Sequence, residues 1–217
     1  YGKNSIMNNR PNIVIMGVSC FDGMAGSTRV RNLFTPLVQK RFVTAHNLIY
    51  ETDNKVPIGK EGVLNDMPFR IIGFKLSNPF SIIGFWSKGM GFLRKSKQRN
   101  ATNIIYNYNY PDLKNIFFLL YAKMIGYKIV FDIIEDNRFE AHIGFMNKLR
   151  IKTSIFLFAV SRWFTSAYVA ISDHLYERAM QNAKGRIPVH LIPITVNLGY
   201  FSRNGYAADK NNLKIFY

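Results

Sequence analysis

The sequence predicts an α/β fold: a Rossmann-like, doubly wound, mostly parallel sheet of about seven strands with helices on both faces. Two observations predict it. Short apolar runs typical of buried parallel strands alternate with helical patterns along most of the chain. Hydrophobic residues make up 48% and aromatic residues 15% of the 217 positions, which is enough to fill a substantial core.

Apolar runs that end in glycine or in polar residues mark the strands. Asn12 to Gly17 is the first run, and Lys128 to Ile134 is the clearest of the later ones. Further strands are predicted at 45–50, 69–76, 103–106, 168–172 and 189–194. A polar segment that contains Gly59, Gly62 and Pro68 separates the second strand from the third.

Helical patterns occupy the intervals between the strands. The first helix is expected to begin near Thr28, with Ser27 and Thr28 as good N-caps because a hydroxyl accepts hydrogen bonds from first-turn amides. Pro111 opens a helix that runs to about Ile125. The other helices are predicted at 80–94, where glycines weaken the pattern, at 147–164 and at 173–181.

These elements divide the chain into three parts. Residues 1–11 form a polar leader, and 12–205 form the Rossmann-like domain. Residues 206–217 read as a linker followed by the first strand of a further domain, so we expect the chain to be the N-terminal part of a longer protein.

A formal charge of +16 and a pI near 10.0 indicate that the partner or substrate is anionic. They favour nucleic acid, an anionic membrane surface or phosphate-bearing substrates. The single cysteine, Cys20, excludes an internal disulfide and a cysteine-based zinc cluster. No secretory signal or membrane-spanning segment is visible in these residues. We therefore expect a cytoplasmic protein that is soluble, or peripheral at the inner face of the membrane.

The loop after the first strand is a candidate phosphate site. Open parallel sheets bind ligands beyond the carboxyl ends of their strands, near the point where strand order reverses. This loop contains Gly26, Ser27 and Arg29 beside a helix N-terminus, which presents free amides to phosphate. Its glycine spacing differs from the dinucleotide-binding fingerprint, and no P-loop motif is present. A tight turn is the alternative interpretation.

Three carboxylates, Asp132, Glu135 and Asp136, lie at the end of the clearest predicted strand. They are predicted to accept hydrogen bonds from sugar hydroxyls or to transfer protons. Helix capping and solvated loop charge are the alternatives. Asp132 lies within the apolar run, where a charge is costly without a partner.

Polar residues after other strands complete the candidate cleft: Asn107, His142, Ser172 and Asn197. An ordinary N-cap is the alternative for Ser172, and a surface position is the alternative for His142. The four histidines are scattered without the spacing of metal ligands, so we expect no metal site.

One stretch combines basic and aromatic residues without any acid. Between positions 86 and 99 it contains Trp86, Lys88, Arg94, Lys95, Lys97 and Arg99. Such a mixture suits an anionic lipid interface, and also a nucleic-acid backbone or a plain solvated helix.

Taken together, these motifs resemble the family 4 glycosyltransferases of the GT-B fold. The resemblance rests on Gly26-Ser27 after the first strand, the acidic turn after a central strand, and Val-Ala-Ile-Ser-Asp at 169–173. It also rests on His-Leu-Ile-Pro-Ile-Thr-Val-Asn at 190–197 with Phe201 a few residues later. The family segment is typically Ile-Pro-Asn-Gly-Val-Asp, so this sequence departs from it at Ile194, Thr195 and Asn197. Element order agrees over most of residues 12–204.

The resemblance implies an N-terminal, acceptor-side domain of a retaining hexosyltransferase that needs no metal or other cofactor. Gly26, Ser27 and Arg29 would approach the pyrophosphate of a nucleotide-sugar donor, which is bound mainly by a C-terminal domain. Asp132 and Glu135 would be catalytic, and Asn107, Asp136, His142, Ser172 and Asn197 would line the cleft for a glycan or lipid-linked acceptor. Polysaccharide biosynthesis is the implied setting, and the isolated domain would be inactive.

Two other classes remain as alternatives. A nucleotide-cofactor enzyme would place Glu51, after the second strand, on a ribose, although the Gly-x-Gly-x-x-Gly fingerprint is missing. A basic module could bind RNA or DNA through charge, although no RRM, KH or helix-turn-helix signature is present. Specific recognition of nucleic acid is therefore not expected.

Overall fold

The computed structural model describes residues 10–18, 25–51, 58–74, 80–113, 115–136, 138 and 145–194. Within these ranges the chain forms eight strands and five helices. The strands are β1 (Asn12–Met16), β2 (Thr44–Glu51), β3 (Glu61–Leu64), β4 (Met67–Gly73), β5 (Asn103–Tyr108), β6 (Lys128–Ile133), β7 (Ala167–Ala170) and β8 (Val189–Leu191). The helices are α1 (Ala25–Gln39), α2 (Ser81–Ser96), α3 (Ile116–Met124), α4 (Phe145–Ser161) and α5 (Asp173–Ala183).

All eight strands join one sheet in the order β3-β4-β2-β1-β5-β6-β7-β8. Every neighbouring pair is parallel except β3 and β4, which are antiparallel. The chain builds the sheet outward from β1 in one direction and then, after β4, crosses back to β5 and continues in the other direction. This confirms the predicted Rossmann-like, doubly wound α/β fold.

The strand β3 was not predicted, and it makes the sheet one strand larger than expected. It pairs with β4 through a two-residue turn at Asn65 and Asp66, whose φ angles are 51° and 62°. Positive φ at both central residues is the conformation of a type I′ hairpin, which asparagine and aspartate tolerate better than most residues. The polar segment therefore contains a hairpin, and its signal was the Asn-Asp pair rather than its glycines.

Two helices begin three or more residues from their predicted starts. The first helix, α1, begins at Ala25, so Ser27 and Thr28 lie in its first turn instead of capping it. The third, α3, begins at Ile116 rather than at Pro111. Asp112 and Asn115 form a turn before it, in which the backbone N–H of each residue donates to the other side chain at 2.9 Å.

Strand alternation divides the core between the two faces of the sheet. Val14 and Met16 of β1 pack in a cluster with residues of α2, α3, α4 and α5. Ile13 and Ile15 point to the opposite face and pack in a cluster with Val30 and Phe34 of α1. Each of the five described helices thus packs against one or the other face of the sheet.

The contact between α2 and α3 depends on a glycine. A Cβ on Gly89 would lie 2.3 Å from the ring of Phe118, closer than side chains pack. The ring of Phe118 also contacts Phe85 at 5.1 Å between centroids, and Trp86 contacts Phe117 at 4.4 Å. Glycine at this position allows the two helices to approach closely, which explains why the helical pattern of α2 is interrupted.

We predict that Gly89→Ala lowers the free energy of unfolding by about 1–3 kcal/mol, because the added methyl must displace Phe118. Gly91 lies on the same helix and has open space where a Cβ would be. Gly91→Ala is the matched control, and it should stabilise the protein by up to about 1 kcal/mol through helix propensity. Urea denaturation of both variants tests this; equal effects would contradict the packing role of Gly89.

Burial gives His46 a pH-dependent effect on stability. It lies in β2, edge-on to Phe92 at 6.4 Å, and burial lowers its pKa below the ordinary value. The unfolded chain therefore takes up the proton first as the pH falls. The stabilising contribution is complete above pH about 6.5 and is lost progressively below it.

We predict that His46→Gln reduces the loss of unfolding free energy between pH 7.5 and pH 5. Wild-type and variant proteins would be compared by urea denaturation at each pH. Carboxylates titrate equally in both proteins, so the difference between the two curves isolates His46. Identical pH dependence of the two proteins would contradict the prediction.

Candidate functional site

The strand order reverses between β1 and β5, and the chain is unusually close-packed there. Met16, the last residue of β1, is in register with Asn107 of β5. Gly17 follows with φ +83°, and a Cβ at this residue would lie 2.7 Å from the backbone oxygen of Tyr108. Both the backbone conformation and the close approach require glycine.

The first turn of α1 lies against the end of β5. A Cβ on Gly26 would lie 2.7 Å from the ring and from the hydroxyl oxygen of Tyr108. Ser27 is almost fully buried beside it, and its hydroxyl has no hydrogen-bond partner among the residues that the structure describes. The residues predicted for the phosphate site thus lie in the first turn of α1, packed against Tyr108 at the carboxyl edge of the sheet.

Arg29 and Asp132 form a buried ion pair with two hydrogen bonds. Arg29 Nε donates to Asp132 Oδ2 at 2.7 Å, and Arg29 Nη2 donates to Oδ1 at 2.9 Å. The Tyr106 hydroxyl donates to Asp132 Oδ2 at 2.6 Å. Both charged side chains are excluded from water, with exposed fractions of 4% and 0%. Arg29, which was predicted to contact phosphate, and Asp132, which was predicted to be catalytic, therefore neutralise each other's charge.

Burial and the neighbouring carboxylate have opposite effects on the pKa of Arg29. Burial alone disfavours the charged form of Arg29, but the hydrogen bond and the charge of Asp132 outweigh it and raise its pKa. Burial raises the pKa of Tyr106 strongly, and the neighbouring Asp132 charge adds to the effect, so the tyrosine stays a neutral donor. Such a pair contributes specificity of packing, because either charge would be costly without the other.

The same guanidinium connects α1 to the far end of the sheet. Arg29 Nη2 donates to the carbonyl oxygen of Ile192, and Nη1 donates to that of Pro193, each at 3.1 Å. These carbonyls follow β8. One arginine thus binds the first turn of α1 to β6 and to the segment that leaves the last described strand.

Asn107 is fully buried, and its hydrogen bonds stay within the loop after β5. Its side-chain amide donates to the carbonyl oxygen of Asn109 at 3.0 Å, and its side-chain oxygen accepts from Asn115 at 3.1 Å. Asn109, with φ +70°, donates its backbone N–H to the carbonyl oxygen of Asp132 at 2.8 Å. Asn107 therefore holds the rim that presents Tyr108 and Tyr110.

A second polar cluster surrounds Asp136 after β6. Its carboxylate forms ion pairs with Arg138 at 2.6 Å and with Arg178 of α5, and it contacts His174 Nε2 at 3.2 Å. The Arg178 guanidinium stacks over the rings of Tyr110 and Phe158, at 5.0 and 5.3 Å from their centroids. The sequence prediction included Asp136 but not Arg178, since a single arginine in an amphipathic helix carries no distinguishing pattern.

The other predicted residues lie in different surroundings. Ser172 is the N-cap of α5 and accepts from the backbone N–H of Leu175 at 3.5 Å, which is the alternative considered for it. Glu135 is exposed at the carboxyl edge of the sheet. His142 and Asn197 lie outside the described residues. The predicted membrane residues are on α2 and just after it, on the outer surface of the fold.

Two classes of feature are absent from the described residues. They contain no group of three or more histidine, cysteine or carboxylate side chains that could hold a metal ion. None of the described helices is long and apolar enough to span a membrane.

We predict that removing either partner of the buried ion pair is strongly destabilising. Arg29→Met or Asp132→Asn should lower the unfolding free energy by about 3–5 kcal/mol, because each leaves a buried partner unsatisfied. Arg29→Met combined with Asp132→Asn should cost less than the sum of the same two single changes. Urea denaturation measures all three.

The pair Arg70–Glu61 at 3.2 Å, in which Arg70 is half-buried and Glu61 is exposed, is the control for this comparison. Glu61→Gln should cost less than about 1 kcal/mol, because water screens the charge. Additive effects at Arg29 and Asp132 would show that the two residues act independently.

Comparison with protein families gives no matching family, and comparison with curated proteins gives no matching relative. Solved structures do match. Sucrose-phosphate synthase from Thermosynechococcus elongatus aligns with a TM-score of 0.51 at 9% identity, over 89% of this chain and 93% of that chain. The N-terminal domain of trehalose-6-phosphate phosphatase from Candida albicans aligns with a TM-score of 0.52 at 9% identity, over 96% of this chain and 53% of that chain. The present chain thus spans about half of the second structure. At this identity the likeness shows a shared Rossmann-like α/β fold.

Proposed function

We propose that this chain is the N-terminal, acceptor-side half of a retaining GT-B glycosyltransferase. It would transfer a sugar from a nucleotide-sugar donor to a glycan or lipid-linked acceptor. The observation that carries the proposal is the close packing of Gly17 and Gly26 on Tyr108, where the strand order reverses. A fold shared with a sucrose-phosphate synthase supports it, as does the resemblance to family 4 glycosyltransferases.

The first turn of α1 supplies the proposed contacts to the donor diphosphate. Gly26 lets this turn approach the end of β5, and the backbone amides of a helix N-terminus favour an anion. Ser27 adds a buried hydroxyl that no described residue satisfies with a hydrogen bond. Arg29 is engaged by Asp132, so it acts as a positioning residue that holds this turn in place.

The two proposed catalytic carboxylates have different roles in this geometry. Asp132 accepts hydrogen bonds from Arg29 and Tyr106 and is fully buried, so it positions the edge of the sheet rather than contacting a sugar. Glu135 is exposed at that edge and is the carboxylate proposed to accept a hydrogen bond from a substrate hydroxyl. Stabilisation of the departing diphosphate is the main electrostatic task of such a reaction.

The acceptor is proposed to bind along the rim formed after β5, β6 and β7. Asn107 and Ser172 shape this rim through their hydrogen bonds, and Asp136 holds Arg178 against Tyr110. His142 and Asn197 are proposed to line the same cleft. Most donor contacts would come from a second domain, so the 217-residue chain by itself would be inactive. The proposed location of the protein is the cytoplasm. The chemistry proposed here requires no metal or other cofactor.

The proposal is tested on the product of the whole reading frame that contains this chain. A second βαβ domain beyond residue 217 and sugar transfer from a nucleotide-sugar panel, with retained anomeric configuration by NMR, are the expected results. We predict that Gly26→Ala lowers kcat/KM at least tenfold, since the methyl must move Tyr108 or the α1 turn. Glu135→Gln should lower kcat/KM by about 10- to 100-fold, because a neutral amide replaces a charged hydrogen-bond acceptor.

Gly91→Ala is the matched control, because it adds the same methyl where space is open. It should leave kcat/KM unchanged. Full activity of the Gly26 variant, or a reading frame that ends without a second domain, would contradict the proposal. Stoichiometric binding of NAD by the chain would instead favour a nucleotide-cofactor enzyme.

A further inference from the structure

The outer sides of α2 and α3 form a continuous apolar surface, which we call the α2–α3 face. Its apolar residues are Ile83, Trp86, Phe117, Leu120 and Met124. The rings of Trp86 and Phe117 join the two helices at 4.4 Å. The exposed fractions are 61% for Ile83, 45% for Phe117, 44% for Leu120 and 82% for Met124. The sequence predicted only the α2 part of this surface.

The helix α3 has apolar residues both on its buried side and on its exposed side, and Lys123 is its one charged residue. Phe118, Leu119 and Ala122 are fully buried against the sheet. Phe117, Leu120 and Met124 follow the spacing of a helical stripe, yet this second stripe faces outward. A helix of this composition is normally covered on both sides, and so large an exposed apolar area marks an interaction surface.

Exposed basic residues accompany the apolar residues on α2, just after α2 and on α3. Neither α2 nor α3 contains an acidic residue. The exposed cations are Lys88, Arg94, Lys95, Lys97, Arg99 and Lys123. The whole chain carries a formal charge of +16. The partner of this face must therefore be both apolar and anionic.

These properties decide between the possible occupants. A second copy of the chain would bring two basic surfaces together, and like charges oppose that association. A nucleic-acid backbone would neutralise the cations but would leave Phe117, Leu120 and Met124 in water. An anionic bilayer satisfies both requirements, because acyl chains accept the apolar side chains while headgroups attract lysine and arginine.

We propose that the α2–α3 face docks on an anionic lipid bilayer. Both helices follow strands of a parallel sheet, so their first turns lie toward its carboxyl edge. Ile83 and Phe117 belong to these turns, while Arg94, Lys95 and Lys97 lie at the opposite end of α2. Ile83 and Phe117 therefore lie toward the carboxyl edge of the sheet, and the basic residues at the end of α2 lie toward the opposite edge. The inference does not depend on the proposed catalytic function.

The first experiment measures flotation of the full chain with phosphatidylcholine vesicles, with and without phosphatidylglycerol. We predict binding that requires the anionic lipid and weakens as salt is added. Phe117→Ser with Leu120→Ser should reduce the partition coefficient by about tenfold. Lys88→Gln with Lys95→Gln should reduce it by about thirtyfold at low salt.

Two matched double variants control for loss of apolar area and charge elsewhere. Phe42 and Val63 are exposed apolar residues on other parts of the fold, at 62% and 67%. Phe42→Ser with Val63→Ser should leave vesicle binding unchanged, as should Lys40→Gln with Lys60→Gln. Circular dichroism verifies that every variant is folded. Equal losses in the test pairs and the control pairs would overturn the proposal.

A second measurement locates the face in the bilayer directly. The chain has two tryptophans, so Trp163→Phe leaves Trp86 as the only fluorophore of that type. Brominated lipids should quench Trp86 in anionic vesicles, and Phe117→Ser with Leu120→Ser should reduce the quenching.

Several outcomes would overturn the inference. They are absence of vesicle binding by the folded chain, and equal binding to neutral and anionic vesicles. A dimer in sedimentation that Phe117→Ser with Leu120→Ser dissociates would assign the face to a second copy. Oligonucleotide binding that is tighter than vesicle binding and unaffected by the same pair would assign the basic residues to nucleic acid.

Discussion

The buried ion pair of Arg29 and Asp132 is the interaction on which the arrangement of this domain depends. A charge without water is costly unless its partner is held in place, so the elements that carry the two residues must meet in one geometry. Arg29 comes from α1 and Asp132 from β6, while Tyr106 of β5 donates the third hydrogen bond. The carbonyl oxygens after β8 complete the set. The guanidinium of Arg29 therefore joins α1, which follows β1, to β6 and to the segment after β8.

This coupling also explains the geometry of the candidate site. Gly26 and Arg29 are three residues apart on α1 and so lie on nearly the same side of the helix. When Arg29 is drawn to Asp132, Gly26 is turned toward the ring of Tyr108. Gly17 lets β1 end beside the backbone of the same tyrosine. The close approach of loop, helix and strand is thus a consequence of a charge pair placed deeper in the fold.

The two faces of the sheet differ in the helices and side chains that cover them. The face covered by α2 to α5 holds the larger cluster of aromatic side chains, and its outer helices expose further apolar and basic residues. The opposite face carries α1 and the ion pair, and it shapes the edge where ligands of such folds bind. If the first face contacts a bilayer as proposed, the carboxyl edge of the sheet stays accessible to substrates both from water and from the membrane.

The sequence by itself determined the fold class, because apolar runs and helical periodicity are local signals, and it predicted a ligand site at the carboxyl edge of the sheet. It also singled out Asp132 as a buried charge that needs a partner. Tertiary structure alone decided that the partner is Arg29, which lies 103 residues away, and that Arg178 serves Asp136. It likewise decided that the outer stripe of α3 is exposed. Periodicity identifies an apolar helix, but only the order of strands determines which sides of that helix are covered and which distant charges meet.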